Sequence, residues 1–113
     1  MVTGFSGRGY RVRDDVFPCG LLLSPTRAMA WDDTPGIVDL TIDAIGDLPD
    51  LDPAPEFLLL GTGAGMAQPP RAFARALEGR GIGVEAMDSR AAARAWGVLR
   101  AEERWIVAAL LPL

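Results

Sequence analysis

The sequence predicts an α/β fold in which helices pack against a mixed β-sheet. Three observations carry this expectation. Residues 57–70 read as a buried strand, a glycine loop and a proline-led helix start. The segments after them go on alternating between strand and helix patterns. The N-terminal third shows short strands separated by turn signals. At 113 residues the chain is expected to form one domain, 1–113, with length enough for one core.

Tyr10-Arg11-Val12-Arg13 alternates apolar and polar residues, as a half-buried strand does, and Asp14-Asp15 signals a turn. Val16 to Leu23 reads as the next strand. Pro18 within it removes a ladder donor and predicts an edge or a bulge. Ser24-Pro25 makes a second turn, and residues 27–31 a short third strand. Residues 10–31 are therefore expected to form an antiparallel meander. Asp32 to Gly36 break the pattern. Thr41 is placed to cap a short helix with Ile42, Ile45 and Leu48 on one face and Asp43 in its first turn. The proline-rich segment 49–55 is expected to be an irregular connector.

From Glu56 the pattern changes. Phe57-Leu58-Leu59-Leu60 predicts a buried strand, Gly61 to Gly65 a tight loop, and Pro69-Pro70 the start of a helix over 70–79. That helix buries Phe73, Ala76 and Leu77, and Gly79 and Gly81 end it. Residues 82–87 form the next strand. Asp88 or Ser89 then caps a helix over 89–102 with Ala92, Trp96 and Leu99 inward. Gly97 either sits inside that helix, at a cost of about 1 kcal/mol relative to Ala, or ends it. Residues 104–110 form the last strand.

Composition excludes more than it suggests. The chain has fifteen acids, eleven arginines, no His, no Lys and no Asn, for a net charge of −4. There is thus no imidazole base, no Schiff base, no P-loop lysine and no zinc site of the usual ligands. No catalytic residue, cofactor or metal site is expected. The acidic total argues against nucleic acid as a partner. Charge is uneven: residues 1–56 hold ten acids against four arginines, and residues 57–113 five acids against seven. The lone Cys19 forms no intrachain disulfide and reads as a buried, inert thiol. No signal peptide is visible at the N-terminus, and the longest apolar run, residues 105–113, is too short to span a bilayer. A cytoplasmic location is the expectation.

The run Phe57 to Gly63, the Pro69-Pro70 helix start, Gly81 to Ser89, and Leu99-x-x-Glu102-x-Arg104 before an apolar strand resemble one small family. It is typified by mitochondrial complex I assembly factor 3 and by bacterial and archaeal relatives of unassigned function. The likeness extends upstream to Tyr10 and Trp31-Asp32. It implies a three-layer α/β fold, a central mixed sheet flanked by helices, with an antiparallel β-rich N-terminal part. It also implies a role in assembling a membrane-bound respiratory complex, and a location peripheral to the inner membrane through partners. The chain departs from the family at Gly97, where relatives carry Asn, and at Glu103, where they carry Gly. The latter is expected to lengthen the second helix.

Two sets of residues are candidate sites. Gly61, Thr62, Gly63, Ala64 and Gly65 could cradle an anion on their N–H groups, with Asp88 and Ser89 facing the same crevice. The loop lacks the third glycine of a dinucleotide fingerprint, since Met66 stands there, and the bland alternatives are a packed turn and helix capping. Arg71 and Arg75, and Arg90 and Arg94, form two i,i+4 pairs that could meet an acidic protein surface, the alternative being solvated helix faces. Trp31 and Trp105 are candidates for an apolar contact. The preferred reading is a non-catalytic module binding protein partners, subunits of a membrane complex among them. A small-ligand or anion binder, or a His-free enzyme, using the Gly61–Gly65 crevice is the alternative. A homodimer through edge strands at 105–111 or Pro18 is the third.

Overall fold

The computed structural model describes residues 1–113. Two sheets organise the chain. The smaller is antiparallel, in the order β1 (Gly4–Ser6), β2 (Gly9–Val12), β3 (Asp15–Phe17). The larger contains β4 (Gly20–Leu23), β5 (Ala28–Trp31), β6 (Phe57–Gly61), β7 (Gly83–Met87) and β8 (Val107–Leu110), in the order β5-β4-β8-β6-β7. β4 runs antiparallel to β5 and β8, and β6 runs parallel to β8 and β7, so this sheet is mixed as expected. Helix α1 (Arg71–Glu78) joins β6 to β7, and α2 (Ser89–Ala101) joins β7 to β8.

The strand order sends the two helices to opposite faces. The step from β6 to β7 goes one way across the sheet; the step from β7 to β8 returns across β6. Crossovers between parallel strands are almost always right-handed, so reversing the step moves the helix to the other face. Alternation along the strands matches. Leu22, Leu58, Leu60, Val107 and Ala109 pack with Phe73 and Leu77 of α1. Leu21, Leu23, Leu59, Ala108 and Leu110 pack with Ala92, Ala93 and Trp96 of α2. Tyr10 and Val12 of the small sheet complete the second layer, and Leu40, Ile45 and Leu48 complete the first. Each fully buried Leu contributes on the order of 1.5–3 kcal/mol.

Several local expectations are corrected. The 10–31 meander is split between the two sheets, and the strand expected over 16–23 is two strands. Pro18 lies at the break, where it cannot donate to a ladder, and the chain passes there from one sheet to the other. β1 lacks a clear alternating signal; Gly7, with φ +59°, makes the tight turn that pairs it to β2. The helix expected after Thr41 is a series of 3₁₀ turns at Ile37–Asp39, Ile42–Ile45 and Leu48–Asp50, and Thr41 makes no capping bond. The last turn overlaps the start of the connector expected to be irregular. Gly46 and Pro49 leave no run long enough for an α-helix, which needs several residues ordered before its bonds repay them. Residues 105–111 are not an edge: β8 lies between β4 and β6, and the bare edges of this sheet are β5 and β7.

Both helices end on the same hydrogen-bonded motif. After α1, Ile82 N–H bonds the Leu77 carbonyl and Gly81 N–H that of Glu78, with Gly81 at φ +80°. After α2, Arg104 N–H bonds the Leu99 carbonyl and Glu103 N–H that of Arg100, with Glu103 at φ +61°. So α2 runs through Gly97, and Glu103 does not lengthen it; Glu103 occupies the left-handed position that glycine fills after α1. A side chain there costs roughly 1–2 kcal/mol. Glu103→Gly should therefore stabilise the protein by about 1 kcal/mol, once the greater freedom of glycine in the unfolded chain is deducted. Urea denaturation of the two proteins checks this, and an unchanged or lower midpoint contradicts it.

Candidate functional site

β6, β7 and β8 are parallel, so their C-terminal ends lie on one side of the sheet, and the Gly61 loop, Asp88-Ser89 and the 111–113 tail meet there. This is the edge at which open α/β sheets commonly bind ligands, between helices on opposite faces. Ser89 is fully buried and ties the three strand ends together. Its Oγ accepts from Gly63 N–H at 2.8 Å and donates to the Leu111 carbonyl at 2.9 Å, and its N–H donates to the Gly63 carbonyl at 2.8 Å. Tyr10 Oη donates to the same Leu111 carbonyl at 2.6 Å, from the small sheet.

Thr62 holds the loop's shape. Its Oγ1 lies 2.7 Å from the Gly65 carbonyl and 3.2 Å from that of Met87, and accepts from Ala67 N–H at 3.1 Å. Its N–H donates to the Met87 carbonyl at 2.9 Å. Asp88 caps α2, its carboxylate accepting from Ala91 N–H at 2.9 Å. Thus the Thr62 and Gly63 amides and the Ser89 and Thr62 hydroxyls all have partners inside the protein. Gly61 is buried against Ser89, whereas Ala64, Gly65 and Met66 are exposed. The Tyr10 phenol is pushed up to about 12 by burial, against smaller opposing effects of the Ser89 hydroxyl and the Arg90 charge.

The other candidates are dispersed. Arg71 and Arg75 are exposed on α1, and Arg90 and Arg94 on α2, so the two pairs stand on opposite faces of the sheet. Arg90 lies over the Phe5 ring, 5.5 Å from its centroid. Trp31 is 5% exposed and packs in the core, which corrects its placement at a surface contact. A lone tryptophan at a strand end carries no sequence mark of burial. Trp105 is half-buried, its indole N–H bonded to the Pro53 carbonyl. Cys19 is half-buried, 3.6 Å from the Asp32 carbonyl. The sequence offered Ser89 both as a cap and as facing the glycine-loop crevice; the structure shows the second, with a bond to the Leu111 carbonyl that the sequence did not indicate. The one available signal was the small residue Gly61 on the neighbouring strand.

The profile of a family described as "Protein of unknown function (DUF498/DUF598)" matches residues 2–111. An uncharacterized protein of Rhodobacter capsulatus is 34% identical over 99% of this chain and 84% of its own length. A Drosophila melanogaster protein named NADH dehydrogenase [ubiquinone] 1 alpha subcomplex assembly factor 3 is 30% identical over 99% of this chain. The chain spans 58% of that relative's length. Among solved structures, a Bordetella parapertussis protein superposes with a TM-score of 0.86 at 33% identity, covering all of this chain and 95% of that one. A Bordetella pertussis protein described as an Mth938-like domain superposes at 0.82 with 29% identity, covering 99% of this chain and 85% of that one.

Proposed function

The chain belongs to the DUF498/DUF598 family, and from that premise we propose that it is a non-catalytic protein-binding module that helps to assemble a membrane-bound NADH dehydrogenase. The similarity over 99% of the chain to relatives named as assembly factors carries this reading. The internal bonding of the loop supports it. A ligand drawing on Gly61, Thr62, Gly63, Asp88 and Ser89 would have to compete with bonds already made within the protein. No helix of the chain is long and apolar enough to cross a membrane.

We place the partner contact on the exposed loop tip Ala64-Gly65-Met66 and on Arg71 and Arg75, which follow it on α1. Met66 is 55% exposed and offers an adaptable apolar anchor beside two cations. Deleting the gene should lower NADH dehydrogenase activity in membranes of the source organism and leave subassemblies on native gels. Unchanged activity and intact complex would refute the assembly role. In the complemented strain, the Arg71→Glu/Arg75→Glu pair should fail to restore activity, while the purified variant keeps its stability within about 0.5 kcal/mol, as exposed substitutions usually do. Full restoration would move the contact elsewhere.

A further inference from the structure

A cleft of about 440 Å³ lies away from the strand-end loops, among the β2–β3 hairpin, the turn from β4 to β5, and α2. Its lining is mixed, and its apolar part comes from Met1, Val12, Phe17, Leu23, Ala28 and Trp96, with Leu23 and Trp96 themselves buried. Its rim carries Arg13, Arg27 and Arg100 against one acid, Asp15. The ion pairs of the molecule are Arg80–Asp50 and Arg104–Glu56, so none of the rim arginines has a carboxylate partner. Arg100 donates to the Arg104 carbonyl at 2.6 Å, while Arg13 and Arg27 are exposed. This concentration runs against the acidic balance of the N-terminal half of the sequence. Residues 1–56 hold only four arginines among ten acids, yet two of the four come together here with Arg100 from the far end of the chain.

We infer that this cleft binds a small amphipathic anion, a carboxylate on a short aliphatic tail such as a medium-chain acyl carboxylate. Guanidinium groups bind carboxylates through paired, charge-assisted hydrogen bonds. The apolar side chains of the lining take part of the tail out of water, and the volume falls in the range of small-molecule pockets, roughly 300–1,000 Å³. Either half alone would be weak: exposed cations are screened, and an apolar slot of this size holds few methylenes.

Arg13 allows affinity to be separated from stability. Its φ is +56°, at the first position of a two-residue hairpin turn between Val12 and Asp15, where glycine is the favoured residue. Arg13→Gly removes a rim charge and relieves that conformation together.

The test titrates the full chain with octanoate below its micelle concentration, following thermal shift and tryptophan fluorescence, with 1-octanol and acetate as comparators. Octanoate should bind saturably, raise Tm, and bind at least about tenfold tighter than either comparator. Added salt should weaken it. Arg27→Gln and Arg13→Gly should each weaken octanoate about tenfold, while Arg13→Gly melts above the parent. Three results overturn the inference: no response to octanoate, 1-octanol binding as tightly as octanoate, or parental affinity in the folded double variant.

Discussion

Gly61→Ala is expected to lower unfolding free energy by about 3 kcal/mol, the upper range for overpacking a filled interior. A Cβ on Gly61 would lie 2.7 Å from Ser89 Oγ, 2.9 Å from Leu110 Cδ2 and 3.0 Å from Ser89 Cα. The flexible Leu110 tip can give way; Ser89 cannot. It is held through Gly63 N–H, the Leu111 carbonyl and its own N–H, so any retreat breaks bonds at the junction of three strands. Buried polar groups that lose partners cost about 1–3 kcal/mol each. Gly65→Ala is the control: nothing lies within 4 Å of its added Cβ and the residue is exposed, so its effect should stay within about 0.5 kcal/mol. Chemical denaturation of both variants checks this, and equal effects would show that Ser89 does not lock the junction.

Raising the pH from 10 to 12 should cost the fold about 2 kcal/mol through Tyr10 alone. Burial raises the phenol from 10.0 to about 12, so the folded state holds the proton more tightly than the unfolded chain does. Below pH 10 both states are protonated and the contribution is complete. Between 10 and 12 the unfolded chain loses the proton first, and stability falls most steeply near pH 11, where the slope approaches about 1.4 kcal/mol per pH unit. The window is clean because Tyr10 is the one tyrosine and the chain has no lysine. Tyrosinate absorbance should rise only near pH 12 or on unfolding, and Tyr10→Phe should flatten the decline in denaturant midpoint. A tyrosinate transition at the ordinary value with the fold intact would mean that the phenol is reached by water.

Legibility differed sharply between segments. β6, the glycine loop, α1, β7 and α2 could be read nearly to the residue, because each is announced by neighbours in the chain: an apolar run, prolines at a helix start, and Asp88 at a cap. The structure separates the Asp88 and Ser89 alternatives: Asp88 caps the helix and Ser89 faces the loop. The N-terminal third is less legible. A run such as Val16 to Leu23 has the same apolar character whether it forms one strand or two, and Pro18 announces a break without saying that the chain changes sheets there.

The residues alone thus determined the mixed α/β class, the central loop between strand and helix, and the lack of imidazole and amine chemistry. These follow from local periodicity, special backbone residues and composition, all properties of short stretches. Strand order was decided only in three dimensions, where Leu58 pairs with Val107 and Leu22 with Ala109. Burial patterns state that a segment is covered and leave open by which partner. With β8 placed between β4 and β6, the helices fall on opposite faces, the Arg71/Arg75 and Arg90/Arg94 pairs separate, Trp31 is enclosed, and Ser89 ties the glycine loop to the chain after β8. The same folding brings Arg13, Arg27 and Arg100 around one cleft, because distant segments meet through packing and no periodicity along the chain records that meeting.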